Sequence, residues 1–111
     1  MRISFKRRKM EKDFAEERKL VKTYGRQMAD KVMLRMGVLK NAPNLAKVPT
    51  DKPERCHALA GDRNGQYSVD LVQPNRLIFE PDHDPVPKLE DGGTDKENID
   101  AIKIVEICDP H

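Results

Sequence analysis

The chain holds only two cysteines, Cys56 and Cys108. They are too few and too far apart for the disulfide framework of a small secreted domain, and neither sits in a paired zinc-ligand spacing, so both read as free, buried thiols. Long apolar runs are missing as well. No window approaches the ~18 residues of a membrane span, and the opening MRISFKRRK lacks the apolar stretch of a signal peptide. A cytoplasmic protein is the expectation. Also absent are a Gly-rich phosphate loop, a His-Glu-x-x-His pair and a serine elbow, which removes most common enzyme classes. His57, His83 and His111 fall at no ligand spacing, and Cys108 with His111 finds no further partner, so no metal site and no cofactor are expected. With 111 residues there is room for a single domain, 1–111, around one modest core.

Charge is abundant, and its distribution says more than the net value of +2. Residues 1–42 hold 13 Lys/Arg against 5 Asp/Glu, residues 43–76 hold 5 against 4, and residues 77–111 hold 3 against 10. A basic segment of this density suits a surface that meets phosphate backbones, where each neutralised phosphate releases counterions. A solvated helical face explains the same composition equally well.

The pattern of apolar residues gives an α+β order. RISF, residues 2–5, alternates as a short half-buried strand does. Met10, Phe14, Val21 and Tyr24 then fall at helical spacing, predicting one amphipathic helix of about four turns that stops near Gly25. Met28, Val32, Met36 and Leu39 repeat the pattern up to Ala42-Pro43, where proline ends it. The two helices form a hairpin, and residues 43–53 are a proline-rich connector. Strands follow at 55–59, 66–72 and 76–80, the first two joined through Asn64-Gly65, the composition of a type I′ turn. Tyr67, Val69, Leu71, Leu77 and Phe79 share the core face. The opposite face carries Ser68, Asp70, Arg76, Ile78 and Glu80, with Arg55 and His57 on the first strand. Residues 81–98 read as a mobile acidic Pro/Gly-rich loop. Residues 102–108 close the sheet as a β-branched strand, giving β-α-α-β-β-β-β with helices on one face of a small, mainly antiparallel sheet.

A histidine and arginines on an open sheet face match the needs of RNA cleavage without a metal. That reaction takes a base for the 2′-OH proton, a cation for the charge developing on phosphorus, and an acid for the leaving 5′-oxygen. Histidine titrates near neutrality and serves either proton role. Arginine forks onto phosphate oxygens and stays charged. On these residues alone the plainer reading stands ahead, with His57 a half-buried strand histidine and Arg63 a turn residue.

RCHALAGDRNGQYSVDL followed by NRLIFEP, after two helices and before a last strand ending in Asp-x-His, resembles the HigB branch of the RelE/ParE toxins of bacterial type II toxin-antitoxin systems. The resemblance spans nearly the whole chain and is weakest over 81–98. It implies a RelE/ParE-like fold and a ribosome-dependent messenger-RNA endonuclease, an mRNA interferase that inhibits translation. It also implies a cognate helix-turn-helix, HigA-like antitoxin and action in the ribosomal decoding site. Position by position, His57 matches the histidine of the His-x-Leu motif, and Arg76 the arginine opening the Arg-Leu-x-Phe strand. Asp109 and His111 match the acid and histidine of a terminal Asp-Tyr-His. By this match His57, Arg76, Asp109 and His111 are the catalytic set, and Arg55 and Arg63 are placed to bind RNA. The sequence departs from the pattern at Pro110, which replaces the frequent tyrosine, and at Ser68 and Asp70, where the RelE branch has lysines. Two other classes stay in view: a ParE-like topoisomerase inhibitor that cleaves nothing, and a catalytically degenerate antitoxin-binding member.

Overall fold

The computed structural model describes residues 1–110 and shows an α+β fold of three helices and a mixed five-stranded sheet. The elements are β1 (Arg2–Phe5), α1 (Arg8–Phe14), α2 (Glu17–Tyr24), α3 (Arg26–Asn41), β2 (His57–Ala58), β3 (Tyr67–Asp70), β4 (Arg76–Pro81) and β5 (Ala101–Cys108). The sheet runs β1-β5-β4-β3-β2; only β1 with β5 is parallel. Among the described residues no helix is long and apolar enough to cross a membrane.

The single first helix predicted from Met10 to Tyr24 is corrected to two. The chain breaks at Glu16, which is extended at φ −138°, ψ 131°. The stripe explains why. Between Phe14 and Val21 a continuous helix would turn Glu17 and Arg18 toward the core, because the period is 3.6. Breaking the helix re-phases α2, and Leu20, which lies off the predicted stripe, becomes its buried residue at 3 % exposure. Phe14 still packs inward, edge-on to Phe5 at 5.3 Å and to Tyr24 at 6.4 Å between ring centroids. Gly25 then links α2 to α3 at φ +86°, a conformation that glycine adopts without a Cβ clash. On α3, Val32, Met36 and Leu39 are buried as their spacing predicts, joined by Ala29 and by a charged residue, Arg35.

One face of the sheet meets the helices through Val69, Leu77, Phe79, Ile102 and Ile104, all within one cluster. Tyr67 belongs to it too, stacked on Phe79 at 6.0 Å with the Lys96 ammonium 5.7 Å from its ring centre. The segment 81–98, expected as a mobile loop, is built: Lys88 bridges Thr94, Leu89 N–H donates to Gly93 O at 2.7 Å, Val86 packs on the core, and Lys96–Asn98 form a 3-10 turn.

The hairpin between β2 and β3 also differs from the predicted type I′ turn. Asn64 sits at φ −53°, ψ 133° and Gly65 at φ +92°, with Gln66 N–H donating to Arg63 O at 2.9 Å. This is the geometry of a type II turn, with glycine where positive φ is required. It is preceded by a 3-10 turn, Gly61–Arg63, and β2 is shortened to two residues.

Candidate functional site

The sheet face away from the helices is not the open surface predicted for it. Ser68, Asp70, Arg76 and Ile78 are all buried, between 0 and 6 % exposed. Strand register supplies the reason. Ser68, Ile78 and Glu106 stand in one cross-strand row. Arg63, just before β3, reaches the far end of that row: its Nη2 donates to Glu106 Oε2 at 2.9 Å and to Cys108 Sγ at 3.2 Å. Its Nη1 donates to Gln66 Oε1 at 3.0 Å. The guanidinium therefore sits at that end of the row, bonded to Gln66, Glu106 and Cys108. The Glu106 bond holds the Arg63 guanidinium above its ordinary pKa, so it stays charged.

Beside Arg63 the chain leaves a cleft of about 590 Å³, lined by His57, Asp62, Arg63, Arg76 and Pro110 together with residues 58–60. His57 is exposed and Arg76 is buried behind it. Arg76 Nη1 and His57 Nε2 are 2.6 Å apart. A guanidinium has only donors, so Nε2 is the acceptor and the ring is the neutral tautomer with its proton on Nδ1. The pair forms because β2 and β4 flank β3: His57 opposes Ser68, and Arg76 opposes Asp70, two residues further along β3 on the same face.

Behind Arg76 lies a charge cluster. Asp70, its side chain 9 % exposed, sits 2.9 Å from Arg55 Nε through Oδ2 and 3.4 Å from Arg76 Nε through Oδ1. The second of these is an ion-pair distance without a hydrogen bond, since neither Arg76 Nε nor Asp70 Oδ1 finds a hydrogen-bond partner among the described residues. The Asp70 carbonyl oxygen accepts from Arg35 Nε at 2.6 Å, and Arg35 lies 4.0 Å from Glu54.

Of the residues expected to act, His57, Arg63 and Arg76 are brought to one cleft. Arg55 is held on Asp70, behind it. Asp109 is exposed directly after β5 and adjoins Pro110 on the cleft wall. His111 lies outside the described residues. Tyr67 is buried in the helix-facing core, so it does not stand in for the missing phenol at Pro110. Asp70 and Glu106 were given no role from sequence. The cue for Asp70 was its position: with a turn at Val72–Asn75, an antiparallel ladder puts Asp70 directly opposite Arg76. Nothing local marked Glu106 as the partner of a residue 43 positions earlier.

Among the described residues no group of three or more His, Cys, Asp or Glu side chains is placed to hold a metal ion. Burial, then Glu106, push the Cys108 thiol up against the opposing pull of Arg63. The chain matches no protein-family model, and no curated protein and no solved structure is similar to it by sequence or fold at a significant level.

Proposed function

We propose that the protein is the toxin of a type II toxin-antitoxin system: a RelE/HigB-like, ribosome-dependent endoribonuclease that cleaves messenger RNA in the cytoplasm and so stops translation. The observation that carries this reading is the 2.6 Å contact between His57 Nε2 and Arg76 Nη1 on the wall of an open cleft. A proton acceptor and a fixed cation within one phosphate's reach are what phosphodiester transfer by side chains requires.

In this mechanism the scissile phosphate enters the cleft and its non-bridging oxygens meet Arg76. His57 Nε2 accepts the 2′-OH proton as O2′ bonds phosphorus. The P–O5′ bond breaks, the 5′-oxygen takes a proton, and the products are a 2′,3′-cyclic phosphate and a 5′-hydroxyl. Two histidines share the proton work, His57 as base and His111 as acid, with Asp109 orienting His111. Arg76 stabilises the extra charge on the pentacoordinate phosphorus, an interaction stronger in the transition state than in the substrate. Arg63 and Arg55 supply further positive potential along the RNA. The basic segment 1–42 meets ribosomal RNA, and a helix-turn-helix antitoxin neutralises the toxin.

A second reading is favoured by Pro110 and by the engagement of Arg63 with Glu106. It is a member that keeps antitoxin binding and has lost cleavage. A ParE-like topoisomerase inhibitor is the third. Purified protein added to ribosomes programmed with a defined message separates them. Cleavage that disappears in His57→Ala and Arg76→Met supports the endonuclease; intact message with growth arrest and DNA breaks on expression supports the ParE-like inhibitor; intact message with harmless expression supports the degenerate one.

A further inference from the structure

The proposed chemistry leaves Asp70 without a role, although it is the most heavily engaged carboxylate near the cleft. Two guanidiniums, Arg55 and Arg76, share this one carboxylate. Arg35 is set against Glu54 and touches Asp70 only at its carbonyl oxygen. One positive charge is thus left over in this cluster, while Asp62 places a carboxylate elsewhere on the cleft lining. Arg55 takes φ +46°, a conformation uncommon for any residue but glycine, at the position whose side chain reaches Asp70. The free protein also leaves polar atoms unsatisfied there. Buried donors and acceptors are nearly always paired, yet Arg76 Nε and Asp70 Oδ1 face each other at 3.4 Å without bonding. Arg76 is held by charge from one side, while its Nη1 occupies the lone pair that His57 would use as a base.

We infer that Asp70 is a positioning residue that holds Arg76 against His57, and that an oxyanion entering the cleft takes Arg76 Nη1 and frees His57 Nε2. This role presupposes the phosphodiester reading of the cleft. A phosphoryl oxygen carries charge and is a stronger acceptor than a neutral imidazole, so it wins the shared donor. Asp70, opposite Arg76 on the ladder, keeps the guanidinium from following the anion outward. The released Nε2 then accepts the 2′-OH proton as the O2′–P bond forms and the P–O5′ bond breaks. Asp70 exchanges no proton. The base becomes available only once the phosphate is clamped, which couples proton abstraction to occupancy of the site.

Nitrogen-15 NMR of the His57 ring in the full-length chain tests this. The probes are inorganic phosphate and a 2′-deoxy dinucleotide, which lacks the attacking hydroxyl. A saturable change at Nε2 is expected with either anion and with no comparable change in sodium chloride. In Asp70→Asn the free-state Nε2 signal should move toward that of an unbonded ring, and Asp70→Glu should reverse part of that movement. On programmed ribosomes Asp70→Asn should lower kcat more than it raises KM. If Asp70→Asn does not fold, the wild-type titration alone decides. An Nε2 signal unmoved at saturating phosphate, or a free-state Nε2 signal in folded Asp70→Asn identical to that of the wild type, overturns the role of Asp70. Message cleavage that needs His57 but is indifferent to Asp70→Asn would sink this role and leave the endonuclease standing. Anion switching in a protein that never cleaves message would do the reverse.

Discussion

Arg55 and Arg76, replaced by methionine singly and together, reveal whether Asp70 is shared between them. Methionine keeps much of the side-chain length and removes the charge. In Arg76→Met the carboxylate retains Arg55 at 2.9 Å, and the desolvation of a guanidinium only 7 % exposed disappears with it, so the cost should be about 1 kcal/mol. In Arg55→Met the carboxylate keeps Arg76 at 3.4 Å, and Arg55 is 38 % exposed, so the cost is again about 1 kcal/mol. The double variant is different. It leaves a 9 % exposed carboxylate with no remaining cation at ion-pair distance among the described residues, because Arg35 bonds its main-chain oxygen instead. An unpaired buried charge costs about 3–5 kcal/mol, so the pair should couple by about 1–3 kcal/mol. Urea denaturation followed by far-UV circular dichroism at pH 7 measures all four proteins. Double-variant destabilisation equal to the sum of the singles, within about 0.5 kcal/mol, would refute a shared carboxylate.

Three other outcomes follow from the packing. Leu20→Ala should cost about 2–4 kcal/mol and Val21→Ala less than half of that, since the break at Glu16 buries Leu20 and leaves Val21 half-exposed; the opposite order would restore a continuous first helix. Gly65→Ala should cost about 1 kcal/mol by thermal unfolding through its φ of +92° alone, because a Cβ there meets nothing within 4 Å; a neutral result contradicts the type II turn. Burial pushes the Cys56 thiol from 9.0 up to about 11. The fold keeps that proton where an unfolded chain has lost it, so this group leaves stability untouched below about pH 9 and lowers it as pH rises toward about 11, by up to roughly 2–3 kcal/mol. Urea midpoints of wild type and Cys56→Ala between pH 8 and 11 should converge as pH rises; a constant gap rules the thiol out. In the native protein a thiol reagent should label Cys108 first.

Much of the architecture was legible in the sequence because it rests on local periodicity. Val32, Met36 and Leu39 mark one helix face at a spacing of 3.6, and Val69, Leu77 and Phe79 mark one strand face at a spacing of two. The first helix was misjudged where the stripe skips a turn, at Glu17 and Arg18, a gap that the chain closes by breaking rather than by burying charge. Asn64-Gly65 correctly signalled a turn and not its type, which the 3-10 turn at Gly61–Arg63 decides. For the site, His57 and Arg76 could be placed on one face from alternation alone. That Arg63 reaches across to Glu106 and Cys108 on β5 could not, because only the completed sheet brings those contacts within range. Asp70 was visible as a polar strand residue, while its burial between two arginines depends on Arg55 adopting positive φ, which no neighbouring residue announces.

The most direct test of the proposed function is the fate of a defined message on programmed ribosomes incubated with the purified protein, with the ends of the fragments identified. The account predicts cleavage that leaves 2′,3′-cyclic phosphate and 5′-hydroxyl ends, reduced by about 10²-fold or more in Arg76→Met, as expected when a transition-state cation is removed, and comparably in His57→Ala. Message that stays intact, or is cut equally well by His57→Ala, would contradict it.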